Sequence, residues 1–214
     1  MSKNLFNQLE GLGRERLSKS FRMREFLYSE IAYSEGIANI PDDPPLALAA
    51  GRGLCENVLE PIQDRLGRIS IRSGFRSARV NQIGNLKKLN CASNERNRAG
   101  HIWDERDADG YMGATACIVL TSFLPYYERT GDWTALAWWI WENIPSCCSQ
   151  YWFPNLAAVN LRWSENPQTE RSIRTYAANP NTGDKAALVK AGVPTISGPY
   201  QQYYDDFLGT LERA

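Results

Sequence analysis

His101 is the single histidine among 214 residues, so one imidazole is all this chain can offer to a metal or to proton transfer. Five cysteines accompany it: Cys55, Cys91, Cys117, Cys147 and Cys148. Their number is odd and no pair has C-x-x-C spacing, which argues against a cysteine-only zinc site. Cys147 and Cys148 are adjacent and poorly placed to bridge each other, so the set reads as reduced, buried thiols rather than a disulfide scaffold. Glu105, Asp107, Asp109 and Gly110 follow the opening of a calcium loop, but Ala116 stands where the bidentate acid belongs. Glu142 and Glu165 are candidate general bases, and a carboxylate in that role needs an activated water beside it.

The elements that must position these groups follow from apolar spacing. Leu5, Phe6, Leu9, Leu12 and Leu17 predict a short amphipathic helix in the first twenty residues. Phe21 to Ile40 has no regular pattern. Pro41 to Pro45 supplies a turn and an N-cap for a helix from about Leu46 to Leu66, which Pro61 must kink or restart because it lacks an amide proton. Arg68 to Ser73 alternates as a strand, a polar loop is expected from Asn81 to Gly100, and two short strands, His101 to Asp104 and Gly113 to Leu120, are expected around an acidic loop. Asp132 caps a Trp-rich helix from Trp133 to Asn143 that must be buried. Ala157 to Trp163 and Arg171 to Tyr176 alternate as further strands. Tyr200, Tyr203, Tyr204, Phe207, Leu208 and Leu211 predict an amphipathic helix over the last fifteen residues.

These elements define an α+β fold, a small and mainly antiparallel sheet flanked by helices, with an amphipathic extension over residues 1–20, a domain over 21–178, and a linker with a terminal helix over 179–214. Hydrophobic residues at 43% are enough for one substantial core. Twenty-four basic side chains against 24 acidic ones leave no excess for a phosphate backbone, which excludes nucleic acid as the main partner. No run of 18 apolar residues is present, so no membrane partner is expected. Residues Met1 to Glu10 lack a signal-peptide pattern, and the expected location is cytoplasmic as synthesised, or a virion.

An ordered set of short segments adds a family resemblance. Val58-Leu59-Glu60-Pro61-Ile62, then Ile69 to Ser77 with its Ser73-Gly74-Phe75-Arg76-Ser77 turn, then Asn81, His101 and Gly113 to Ile118 together resemble the zinc D-alanyl-D-alanine peptidase superfamily. That superfamily includes peptidoglycan carboxypeptidases and phage endolysins, and the likeness runs from about Phe21 to Tyr176. It implies metal-dependent hydrolysis of cell-wall peptides at a zinc held by histidine, aspartate and a second histidine. His101 matches the first ligand. Cys117 stands where the aspartate belongs, and Ser164 where the late histidine is expected, so the two-histidine site cannot form within one chain.

Three readings of His101 follow: a rearranged zinc site with Cys117 and one of Asp104, Asp107 or Asp109, a degenerate metal-free site, or a site completed by another subunit. Zinc is thus the candidate cofactor, and an empty site the leading expectation. Ser73 and Arg76 match the family's substrate-binding turn, with Arg76 as the fork for a terminal carboxylate; its structural alternative is an ion pair with Glu60 or Asp104. The function implied is a peptidoglycan-peptidase-like domain. The alternatives are a catalytically silent assembly component of a phage particle, and a wall-peptide binding module that does not hydrolyse. The corresponding partners are peptidoglycan peptides or neighbouring structural subunits joined through the terminal helices.

Overall fold

The computed structural model describes residues 3–166 and 168–211; the outermost residues of both terminal extensions lie outside that range. Helix α1 (Lys3–Arg14) opens the chain, and Leu17 and Phe21, both essentially buried, tie the following segment into the core. Its anchor is Glu60, whose carboxylate accepts bonds from Ser18 Oγ at 2.7 Å, Ser20 N at 2.5 Å and Ser20 Oγ at 3.0 Å. The stretch expected to be irregular contains α2 (Glu30–Glu35), capped by Ser29. At six residues it is too short to leave an apolar period.

Asp43 caps α3 (Pro44–Leu54), with proline in the first turn. The chain meets Pro61 by widening one turn, Cys55–Leu59, into a π-helical bulge in which Glu60 N–H donates to the Cys55 carbonyl. α4 (Glu60–Leu66) then continues, so the missing amide is absorbed without breaking the rod.

Strand β1 (Ile69–Ser73) leads through the Gly74-Phe75-Arg76 turn into α5 (Ala78–Leu86), capped by Ser77. A second short helix, α6 (Asn94–Asn97), follows. The polar loop expected over Asn81 to Gly100 is therefore half helical, with turns between and after the two helices. Its asparagines are structural: fully buried Asn81 donates to the Ala92 carbonyl and to Asn94 Oδ1. Nor do His101 to Asp104 form a strand. They lie in turns, with Trp103 completely buried and its indole N–H donating to the Thr115 carbonyl at 3.2 Å.

The remaining elements are β2 (Gly113–Leu120), α7 (Leu124–Thr130), α8 (Thr134–Asn143), β3 (Ser149–Trp152), β4 (Val159–Ser164), β5 (Ser172–Thr175), β6 (Val189–Lys190), β7 (Val193–Pro194) and α9 (Asp205–Leu211). The seven strands form one open sheet in the order β1-β2-β4-β3-β5-β6-β7. All pairings are antiparallel except β3 with β5. The architecture is α+β, as the sequence pattern requires.

One face of this sheet packs on helices. Gly53 of α3 meets Trp163 of β4 so closely that a Cβ there would lie 2.3 Å from the indole. Buried Gln150 of β3 donates to the Ala137 carbonyl of α8. The C-terminal segment packs on the same core: Tyr200 stacks on Trp138 at 4.6 Å and fully buried Phe207 meets Phe123 edge-on at 4.8 Å. It is a short 3-10 turn followed by α9 rather than one long helix, because the chain leaves helical geometry at Tyr204. No helix of the described residues is long and apolar enough to cross a membrane.

Candidate functional site

Strand alternation carries the sequence-predicted residues to the other face of the sheet. Ser73 pairs with Cys117, Cys117 with Asn160, and Asn160 with Tyr151, so these four side chains form a row across β1, β2, β4 and β3. Gln150 and Trp152 point to the buried face, which turns Tyr151 toward this one. The row lines a cleft of about 770 Å³, closed by Arg76, His101, Cys91 and the ring of Tyr176. A second pocket of about 420 Å³, lined in part by Tyr28 and Glu30, adjoins it and shares Ser73 and Arg76.

Two reciprocal bonds hold the turn against His101. Arg76 N–H donates to the His101 carbonyl at 2.8 Å, and His101 Nδ1 lies 2.8 Å from the Gly74 carbonyl. A carbonyl only accepts, so Nδ1 carries the proton and Nε2 keeps its lone pair. Buried Asn39 braces the same turn by donating to the Leu27 and Phe75 carbonyls and accepting from Ser77 N–H. Burial, reinforced by the Arg76 charge, pushes the His101 pKa down to about 3, so the ring is neutral at ordinary pH and too weak a base for general-base work. Burial likewise raises the Cys117 thiol to about 11.

Arg76 forms no ion pair among the described residues; its side chain has one hydrogen bond, from Nη1 to Cys91 Sγ at 3.2 Å. The acids considered as its partners are engaged elsewhere. Glu60 serves Ser18 and Ser20, and Asp104 Oδ2 accepts from Asp42 N–H at 2.7 Å. Burial raises the Asp104 carboxyl above its ordinary pKa, and its place is under the 41–43 turn rather than in the cleft. Glu142 lies on α8, where it accepts from the Tyr204 hydroxyl at 2.5 Å. Glu165 follows β4 and accepts from Met112 N–H at 3.1 Å. The structure thus brings together Ser73, Arg76, His101 and Cys117, and sets Asp104, Glu142 and Glu165 apart from them.

These donors do not fit the family's zinc. A tetrahedral site needs three protein ligands of imidazole, thiolate or carboxylate type. The cleft offers His101 Nε2, a protonated Cys117, and Cys91, whose Sγ is taken by Arg76 Nη1 at 3.2 Å; the next position in the row is the amide of Asn160. No carboxylate lines it, and no three His, Cys, Asp or Glu side chains gather around one point among the described residues.

The sequence reading missed Asn160, Tyr151, Phe153 and Tyr176. The signal was present in the alternation of Ser149 to Trp152, but four residues before a proline-bearing turn are too few to distinguish from loop. Comparison of the chain with protein-family models, with curated proteins and with solved structures yields no match.

Proposed function

We propose that this chain is a peptidoglycan-peptidase-like domain that binds wall peptides through a terminal carboxylate at Arg76 without hydrolysing them. The observation that carries this reading is the unpaired guanidinium. Arg76 is half-buried, lines both pockets and its side chain has only a thiol as partner, so an incoming carboxylate meets a guanidinium fork with no acid already in hydrogen-bond contact. Beside it His101 Nε2 is a fixed acceptor for a ligand N–H, and Asn160 offers an amide that can donate and accept. Among the described residues no carboxylate lines the cleft, and burial keeps the His101 imidazole and the Cys117 thiol neutral. The C-terminal segment, one of the two candidates for docking on other subunits, is packed on the chain's own core, which favours this reading over assembly through that segment, whereas α1 leaves Phe6 58% exposed. A phage or bacterial source, with the domain held in the cytoplasm or carried in a virion, belongs to the same proposal.

Calorimetric titration tests it with a pentapeptide ending in D-alanyl-D-alanine, offered as the free acid and as the C-terminal amide. The free acid should bind, and either amidation or Arg76→Ala should weaken it roughly 10- to 100-fold, the range for a charge-assisted bond. No D-alanine should be released, even with zinc added. Equal affinity for the amide overturns the carboxylate assignment, and D-alanine release that disappears in His101→Ala overturns the absence of hydrolysis.

A further inference from the structure

At the end of the cleft away from Arg76 three aromatic rings form a platform. Tyr151 and Tyr176 have centroids 4.7 Å apart, and Phe153 lies 5.7 Å from Tyr176 and 5.8 Å from Tyr151. Tyr176 remains 56% exposed although it touches both other rings, and its backbone is fixed by a 2.8 Å bond from its N–H to the Trp152 carbonyl. Next to Tyr151 in the strand row is Asn160, whose side chain has no hydrogen-bond partner among the described residues. Three mutually tilted rings, at interplanar angles of 32–45°, beside a free amide can receive a pyranose ring, which presents a C–H face to stack and hydroxyl or acetamido groups to hydrogen-bond.

We infer that this platform is a subsite for the sugar that carries the wall peptide, so that the ligand is a muropeptide rather than a free peptide. The inference rests on the carboxylate reading above and deepens it through a length argument. From Ser73, at the Arg76 end, to Tyr151 is three strand spacings, or about 14 Å. An extended peptide advances about 3.3–3.6 Å per residue, so about four residues fill that span. A wall stem peptide of four or five residues is joined at its amino end to N-acetylmuramic acid. With its carboxyl end on Arg76, the sugar therefore falls on Tyr151, Phe153 and Tyr176.

The test compares N-acetylmuramyl-pentapeptide with the N-acetyl pentapeptide of the same sequence, by calorimetric titration of the full chain. The muramyl form should bind roughly five- to tenfold more tightly. Tyr176→Ala, at an exposed position, should weaken the muramyl form more than the pentapeptide and so erase that difference, and Tyr176→Phe should restore it. Equal affinity for the two ligands, or a Tyr176→Ala loss that is the same for both, overturns the sugar subsite and leaves the carboxylate reading standing. If neither ligand binds, the carboxylate reading fails, and titration with an N-acetylglucosamine tetramer decides the platform alone. Binding that Tyr176→Ala abolishes retains the sugar subsite; no binding ends it.

Discussion

His101→Asn should remove a specific acid sensitivity from the fold. The imidazole is 6% exposed, its Nδ1 donates to the Gly74 carbonyl at 2.8 Å, and its pKa falls from 6.5 to about 3 on folding. Between those two values the unfolded chain binds a proton that the folded chain refuses, so stability falls as pH falls through that window, and no further loss occurs below about pH 3. At pH 5 the loss is close to RT ln(1 + 10^1.5), or about 2 kcal/mol. That figure hardly changes for any folded value below about 4, because the folded ring is then neutral at pH 5 either way. Asparagine places its Nδ2 where the ring's Nδ1 donates, so the variant keeps the bond to Gly74 and loses the titration. Urea denaturation of parent and variant at pH 7.5 and pH 5.0, with chelator present, gives a difference of differences from which the carboxylates cancel. The expected result is about 2 kcal/mol more acid destabilisation in the parent. A value below roughly 0.5 kcal/mol, or a His101 ring-proton resonance with a midpoint near the ordinary imidazole value, would refute the buried neutral tautomer.

Other consequences are as direct. Gly53→Ala, which in an exposed helix would be stabilising, should cost about 1–3 kcal/mol in denaturant melts, since its Cβ would lie 2.3–2.6 Å from three atoms of the Trp163 indole; a neutral or stabilising result would mean that α3 is not seated on β4. Phe207→Ala should cost about 3–5 kcal/mol if α9 is part of this chain's core, and an effect within about 0.5 kcal/mol would place that segment outside it. Iodoacetamide at pH 8 should label the partly exposed Cys91 first, while Cys55 and Cys147, whose thiols burial pushes up (Cys147 to about 12), should stay unmodified until the protein unfolds. Peptide mapping by mass spectrometry reads the order, and early labelling of Cys147 would contradict its burial.

Much of the scaffold is determined by sequence alone, because it rests on local periodicity and capping chemistry. Alternation at Ile69 and Ile71 and from Val159 to Trp163 marks β1 and β4, the Pro41 to Pro45 turn and Asp132 mark helix starts, and the indoles of residues 133–141 announce a largely buried helix. Even the π bulge before Pro61 is the answer to a constraint visible in the chain, a missing amide proton. The Ser73 to Ser77 turn and His101 stand out as chemistry-bearing by type and order.

Only tertiary structure decides what those residues face. The helices α5 and α6 are stabilised by Asn81 reaching Ala92, Asn94 and neighbouring loops, contacts that no helical period encodes. Asp104, a plausible ligand from its nearness to His101 in sequence, is turned to the 41–43 backbone, because a buried carboxylate goes where amide protons are available. Glu142 lies on a helix that packs against the opposite face of the sheet. The row Ser73, Cys117, Asn160, Tyr151 joins residues up to 87 positions apart through strand register, and register depends on the whole sheet's burial pattern rather than on any one strand. The lone histidine could be found in the sequence; that it is neutral, clamped by Gly74 and flanked by a thiol, an amide and an unpaired arginine is a property of the fold.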